Sequence, residues 1–104
     1  MLERWLEINV ELVKKLNLQS FAPPVAHVYN PLDYAAGAYE AYLCLYGMTT
    51  RSIMFLGMNP GPWGMVQTGI PFGEVAAVKE WLGISSGVQI PPLMRPKRPV
   101  QGFS

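Results

Sequence analysis

One side chain in this sequence stands where chemistry is usually done. Asn59 lies two residues past the end of a short apolar run, Ser52 to Gly57. It is the second residue of a sixteen-residue stretch, Met58 to Gly73, that holds four glycines and three prolines. A run of that length without regular structure is uncommon in a compact domain unless it has a function. Glycine and proline at this density describe a stiff backbone that approaches something closely. A strand that ends in such a loop and leads into a helix is the usual ligand site of an open α/β sheet. An amide offers one acceptor and two donors.

Other chemistries fit less well. The glycines at 57, 61 and 64 do not follow the G-x-G-x-x-G of dinucleotide folds, and no Gly-Lys-Ser/Thr follows them. The single cysteine, Cys44, excludes an internal disulfide and reads as a small buried apolar residue. The only histidine, His27, has no metal-ligand partners at a useful spacing and reads as a surface or core residue. No metal or cofactor is expected. Plain structural readings stand beside the functional ones. Asn in a loop of Pro and Gly is most often a turn former. Phe72 taken alone reads as core, and Trp63 and Met65 as loop anchors.

The run Gly57-Met58-Asn59-Pro60-Gly61-Pro62-Trp63-Gly64-Met65-Val66-Gln67-Thr68-Gly69-Ile70-Pro71-Phe72-Gly73-Glu74 resembles the first motif of the single-strand-selective monofunctional uracil-DNA glycosylases. Tyr29 to Ala35 resembles the family's upstream helix start, and Pro96 to Val100 its next segment. The resemblance runs from about residue 29 to the end. Departures are small: Trp63 where Phe is common, Val66 for Ala, and Ile70 for Val.

The resemblance implies hydrolysis of the N-glycosidic bond of uracil, and of related oxidised pyrimidines, in DNA, with the base flipped into a pocket. By position, Asn59 matches the residue that aims the attacking water, and Phe72 the one that stacks on the flipped base. Met58, Gly61 and Met65 match positions whose backbone lines the pocket. The family's second motif, a His-Pro-Ser-Pro-type loop with the electrophilic histidine, has no counterpart in these 104 residues. Neither has the Asn that reads the uracil edge. The chain alone is therefore expected to be inactive. The competing expectation is a non-catalytic fragment or degenerate relative that binds DNA or a partner. A nucleotide-binding α/β domain is a weaker third.

The elements that must position this loop are legible in part. Leu2, Trp5, Leu6, Leu12, Val13 and Leu16 recur at helical spacing and predict an amphipathic helix over 2–17. Its acidic residues come early and its lysines late, and Glu11 and Lys15 make a favourable pair. Asn30 as cap and Pro31 at the first position start a second helix, which runs to Tyr46 and stops at Gly47. Ser52 to Gly57 predicts a buried strand. A third helix is expected over 74–82, ended by Gly83. Beyond it lies a tail rich in Pro and Gly with a basic knot, Arg95, Lys97 and Arg98.

One strand cannot make a sheet. The expected fold is therefore a partial α/β one, a three-layer uracil-DNA-glycosylase-like architecture cut before most of its strands. Residues 1–104 would form the N-terminal, incomplete part of a single domain. Composition agrees. Half the residues are hydrophobic, only 14% are charged, and mean hydropathy is +0.16. That is a low charge fraction for a small domain with much surface to cover. Exposed apolar surface and self-association are expected. The net charge of +1 lacks the strong basic excess of a protein that coats nucleic acid. An enzyme that grips uracil-containing DNA at a few points does not need that excess. No signal peptide or membrane-length apolar run is visible. The expected location is intracellular: cytoplasmic for a bacterial protein, nuclear for a eukaryotic one.

Overall fold

The computed structural model describes all residues from Met1 to Ser104. Five α-helices succeed one another: α1 (Leu2–Asn17), α2 (Pro31–Tyr34), α3 (Ala36–Tyr46), α4 (Met65–Thr68) and α5 (Val75–Ala77). A π-helical turn, Val78–Leu82, continues α5. There is no strand; the only β-type pairing is an isolated bridge between Arg95 and Arg98. No helix is long and apolar enough to cross a membrane.

The first helix forms over the expected residues. Leu2, Leu6, Asn9 and Val13 are its half-buried stripe, whereas Trp5, Leu12 and Leu16 remain exposed. The half-buried stripe thus follows a four-three-four spacing that includes the Asn9 amide and leaves Leu12 outside it. The Glu11–Lys15 pair does not form; the one ion pair is Arg4 with Glu7 at 3.3 Å.

The second expected helix is split in two at Ala35, for a reason that lies far along the chain. In a continuous helix the Ala38 N–H would donate to the Tyr34 carbonyl. Instead it donates to the Gly87 carbonyl at 3.1 Å, and the Tyr34 carbonyl accepts from the Gln89 N–H at 2.7 Å. The segment Gly87–Gln89 has entered the helical ladder. Only glycine permits this: Gly87 has φ +96°, and a Cβ there would lie 2.4 Å from the Ala38 nitrogen. Asn30 precedes the helix but its side chain caps nothing; it donates to the Asn17 amide oxygen at 3.0 Å. Gly47 ends α3 as expected.

The predicted strand over 52–57 is a correction. No backbone group of these residues joins a backbone hydrogen bond, and Ile53, Met54, Phe55 and Leu56 are each more than 70% exposed. A strand needs neighbours to pair with, and this chain supplies none. The apolar pattern is present but nothing covers it. The α/β class is accordingly not realised here; the ordered elements are helical.

The last helix begins one residue later than expected. Glu74 is its cap, accepting from the N–H groups of Ala76 at 2.9 Å and Ala77 at 3.0 Å. Gly83, at φ +75°, ends the π-helical turn. The core is small, with fourteen buried residues. Ala38, Ile70, Val78 and Ile84 are its centre, with Tyr42, Leu82, Val88 and Phe103 packed around them. Ile70 belongs to the glycine- and proline-rich stretch, so that stretch is rooted in the core. Cys44 is exposed, against the expected burial.

Candidate functional site

The stretch from Met58 to Gly73 is not wholly irregular. Residues Met65 to Thr68 close one helical turn, ended by Gly69 at φ +73°. That glycine is required: a Cβ would lie 2.5 Å from the Ala35 Cβ. Upstream, the Gly61 carbonyl accepts from the N–H groups of Gly64 at 3.2 Å and Val66 at 3.0 Å. One buried polar side chain, Gln67, and one half-buried one, Tyr34, hold the turn. The Gln67 amide donates to the carbonyls of Pro62 at 2.9 Å and Pro99 at 2.7 Å. Its oxygen accepts from the N–H groups of Gln101 at 2.7 Å and Gly102 at 3.2 Å. All of its hydrogen-bonding capacity is used, as burial demands. The Tyr34 hydroxyl donates to the Val66 carbonyl. Burial, and the neighbouring Tyr29, push the Tyr34 pKa upward, so it serves as a neutral donor.

Phe72 is presented by a strained turn. The Gly73 N–H donates to the Ile70 carbonyl at 2.8 Å, and Pro71 and Phe72 fill the two central positions. Phe72 has φ +58°, the only non-glycine residue with positive φ in the chain. A turn with positive φ at its third residue ordinarily takes Gly or Asn there. A Phe in that place costs on the order of 1 kcal/mol or more. Thr68 repays part of the strain, donating to the Gly73 carbonyl at 2.7 Å and accepting from the Ile70 N–H at 3.2 Å. The Phe72 ring is 70% exposed. It lies against Gly57, where a Cβ would come within 3.3 Å of the ring, and meets Phe55 edge-on with centroids 6.4 Å apart.

The predicted site residues are thus only partly brought together. Phe72 lies over the Gly57 end of the apolar run, two residues from Asn59. Asn59 is exposed, and its amide donates to the Pro60 carbonyl at 3.2 Å. Met58 is 98% exposed. No hydrogen bond uses the N–H of Met58, Gly61 or Met65. Met65 points elsewhere: with Pro60 it lines a cleft of about 430 Å³ against Leu16, Phe21, Val28 and Tyr29. No group of three or more His, Cys, Asp or Glu side chains is placed to hold a metal. His27 is exposed.

Three positioning residues escape a reading of the sequence: Gln67, Thr68 and Tyr34. The available signal was the polar pair Gln67-Thr68 inside an otherwise apolar loop. For Phe72 the signal was Pro71 before it, which favours the second position of a turn.

No family model matches the chain. Three curated relatives do, each over 101 residues, or 97% of this chain. The chain is 48% identical to the single-strand selective monofunctional uracil-DNA glycosylase of Rattus norvegicus, 46% to that of Mus musculus and 45% to that of Bos taurus. It spans 36–37% of the length of these relatives. Identity of that degree over 97% of the chain means that it belongs to the single-strand-selective monofunctional uracil-DNA glycosylase family.

Proposed function

We propose that this chain carries the base-holding and water-aiming loop of a uracil-DNA glycosylase that acts in DNA repair. The enzyme hydrolyses the N-glycosidic bond of uracil, and of related modified pyrimidines, after flipping the base out of the stack. The observation that carries the reading is the presentation of Phe72. A core phenylalanine is buried on an unstrained backbone. This one is exposed on a strained turn whose neighbours are locked into the interior, as a stacking platform requires. Stacking of a base on an aromatic ring contributes about 1–3 kcal/mol.

In this mechanism the bond between C1′ of the sugar and N1 of uracil breaks, and its electron pair leaves with the base. The Asn59 amide orients a water molecule. The water oxygen bonds to C1′, and a proton passes to solvent. The N–H groups of Met58, Gly61 and Met65, which no other group uses, would receive the charge that grows on the departing base. Residues 1–104 belong to one three-layer α/β domain, in which Ser52 to Gly57 becomes a strand once neighbouring strands supply partners.

A second reading has one observation in its favour. Asn59 is turned onto its own neighbour, Pro60, so the chain by itself binds uracil-containing DNA without cleaving it. Both readings predict binding and differ over catalysis. The test of the shared part uses the 104-residue chain and a single-stranded oligonucleotide bearing one 2′-fluoro-2′-deoxyuridine, which resists cleavage. Tighter binding than to the thymidine strand is expected, and Phe72→Ala should abolish the difference. Equal binding of both strands by the parent chain would refute the reading.

A further inference from the structure

The basic knot near the end of the chain has no part in the chemistry above. Arg95, Lys97 and Arg98 supply three of the eight Lys and Arg residues within four positions. All three are exposed, and none has an acidic partner; the only ion pair in the molecule is Arg4–Glu7. They are carried on a tight turn. The Arg98 N–H donates to the Arg95 carbonyl at 2.9 Å, and the two residues form the isolated bridge. Pro96 and Pro99 stiffen the turn from within and behind.

One side chain from outside clamps it. The Tyr29 hydroxyl accepts from the Arg95 N–H at 2.6 Å and donates to the Arg98 carbonyl at 2.6 Å. Both ends of the turn are thereby tied to one oxygen. The turn is also tied to the loop that carries Phe72. The Gln67 amide that donates to the Pro62 carbonyl donates to the Pro99 carbonyl as well, one residue past Arg98. Three unpaired cations are therefore held on a rigid mount beside the proposed base-holding loop. A solvated turn of no consequence needs neither the clamp nor the tie.

We propose that the Arg95–Arg98 turn grips the DNA phosphate backbone beside the flipped nucleotide, an inference that rests on the glycosylase reading of the loop. Contacts of this kind fix register and orientation and carry no sequence information. They explain how a chain of net charge +1 binds a polyanion: the charge that matters is local.

The test is the salt dependence of binding of the 104-residue chain to single strands containing 2′-fluoro-2′-deoxyuridine or thymidine. Each neutralised phosphate contributes about 0.7 to the slope of log K against log salt for a single strand. The triple variant Arg95→Gln, Lys97→Gln, Arg98→Gln should reduce the slope by about 2. It should weaken both strands by the same factor. The control triple Arg4→Gln, Lys14→Gln, Lys15→Gln on α1 removes the same charge and should leave the slope unchanged. Equal losses in the two triples would overturn the proposal, since net charge alone would then explain them. An unchanged slope in the first triple, with the preference for uracil intact, would overturn the grip and leave the reading of the loop standing. A reduced slope in a chain that never preferred uracil would uphold the grip and refute the loop.

Discussion

The hydroxyl of Thr68 donates to the carbonyl of Gly73 at 2.7 Å, and so bridges the turn that presents Phe72. The same oxygen accepts from the Ile70 N–H, and Thr68 is wholly buried. Ile70 is itself a core residue. The exposed ring of Phe72 is thus mounted on backbone fixed from beneath on both sides. Rigid mounting of this kind reduces the freedom that a side chain loses when it takes up a ligand.

Thr68→Val keeps the shape and removes the hydroxyl. It leaves the Gly73 carbonyl and the Ile70 N–H short of a partner in the interior. The expected loss of stability is about 1–3 kcal/mol, read from urea unfolding. Thr68→Ser should retain most of it. A Val variant as stable as the parent would mean that the bridge contributes nothing.

What could be read from the sequence, and what could not, divides by distance along the chain. The first helix and the stops at Gly47 and Gly83 depend on local periodicity and local turn chemistry, and they form as expected. The break at Ala35 depends on Gly87 to Gln89, some fifty positions away, and no local pattern announces it. The strand over 52–57 failed for a related reason. Its apolar run is a local signal, but a strand exists only through partners, and these residues pair with none. At the site, Asn59 and Phe72 were visible as types in a suggestive loop. Their support was hidden, because Gln67 acts through four backbone groups, three of them more than thirty positions away. Phe72 at positive φ was hidden too, since Phe is the wrong residue type for that geometry.

Glu74 gives a pH dependence of definite sign. The Ala76 and Ala77 N–H groups hold its carboxyl below the usual carboxylate range. A group whose pKa is lower in the folded than in the unfolded chain stabilises the fold above its unfolded value. That contribution is lost as pH falls through the folded value. Glu74→Ala should therefore be less stable than the parent at neutral pH. The difference should close as pH drops below about 4.3, the ordinary glutamate value. Thermal unfolding across this range, followed by circular dichroism, would show it. A difference that stays constant down to acid pH would exclude the cap as its source.

The apolar run should make the chain associate. Ile53, Met54, Phe55, Leu56 and Met58 are contiguous or nearly so, and each is more than 70% exposed. A patch of this kind favours contact with another apolar surface. Sedimentation velocity at increasing concentration should show species larger than a monomer, and Leu56→Asp should shift them back toward it. A parent chain that stays monomeric throughout would contradict this.

The most direct test of the central claim separates aiming water from holding base. Residues 1–104 replace the matching part of the Rattus norvegicus relative, and single-turnover uracil release is measured beside binding of the 2′-fluoro strand. The expected chimera releases uracil. Asn59→Ala should slow release on the order of 10²-fold with binding nearly unchanged, because a misaimed water costs the transition state and hardly the ground state. Phe72→Ala should weaken binding itself, since stacking precedes bond cleavage. An Asn59→Ala chimera that cleaves at the parent rate, or loses only binding, would show that Asn59 is a turn former and that the chemistry lies with other groups.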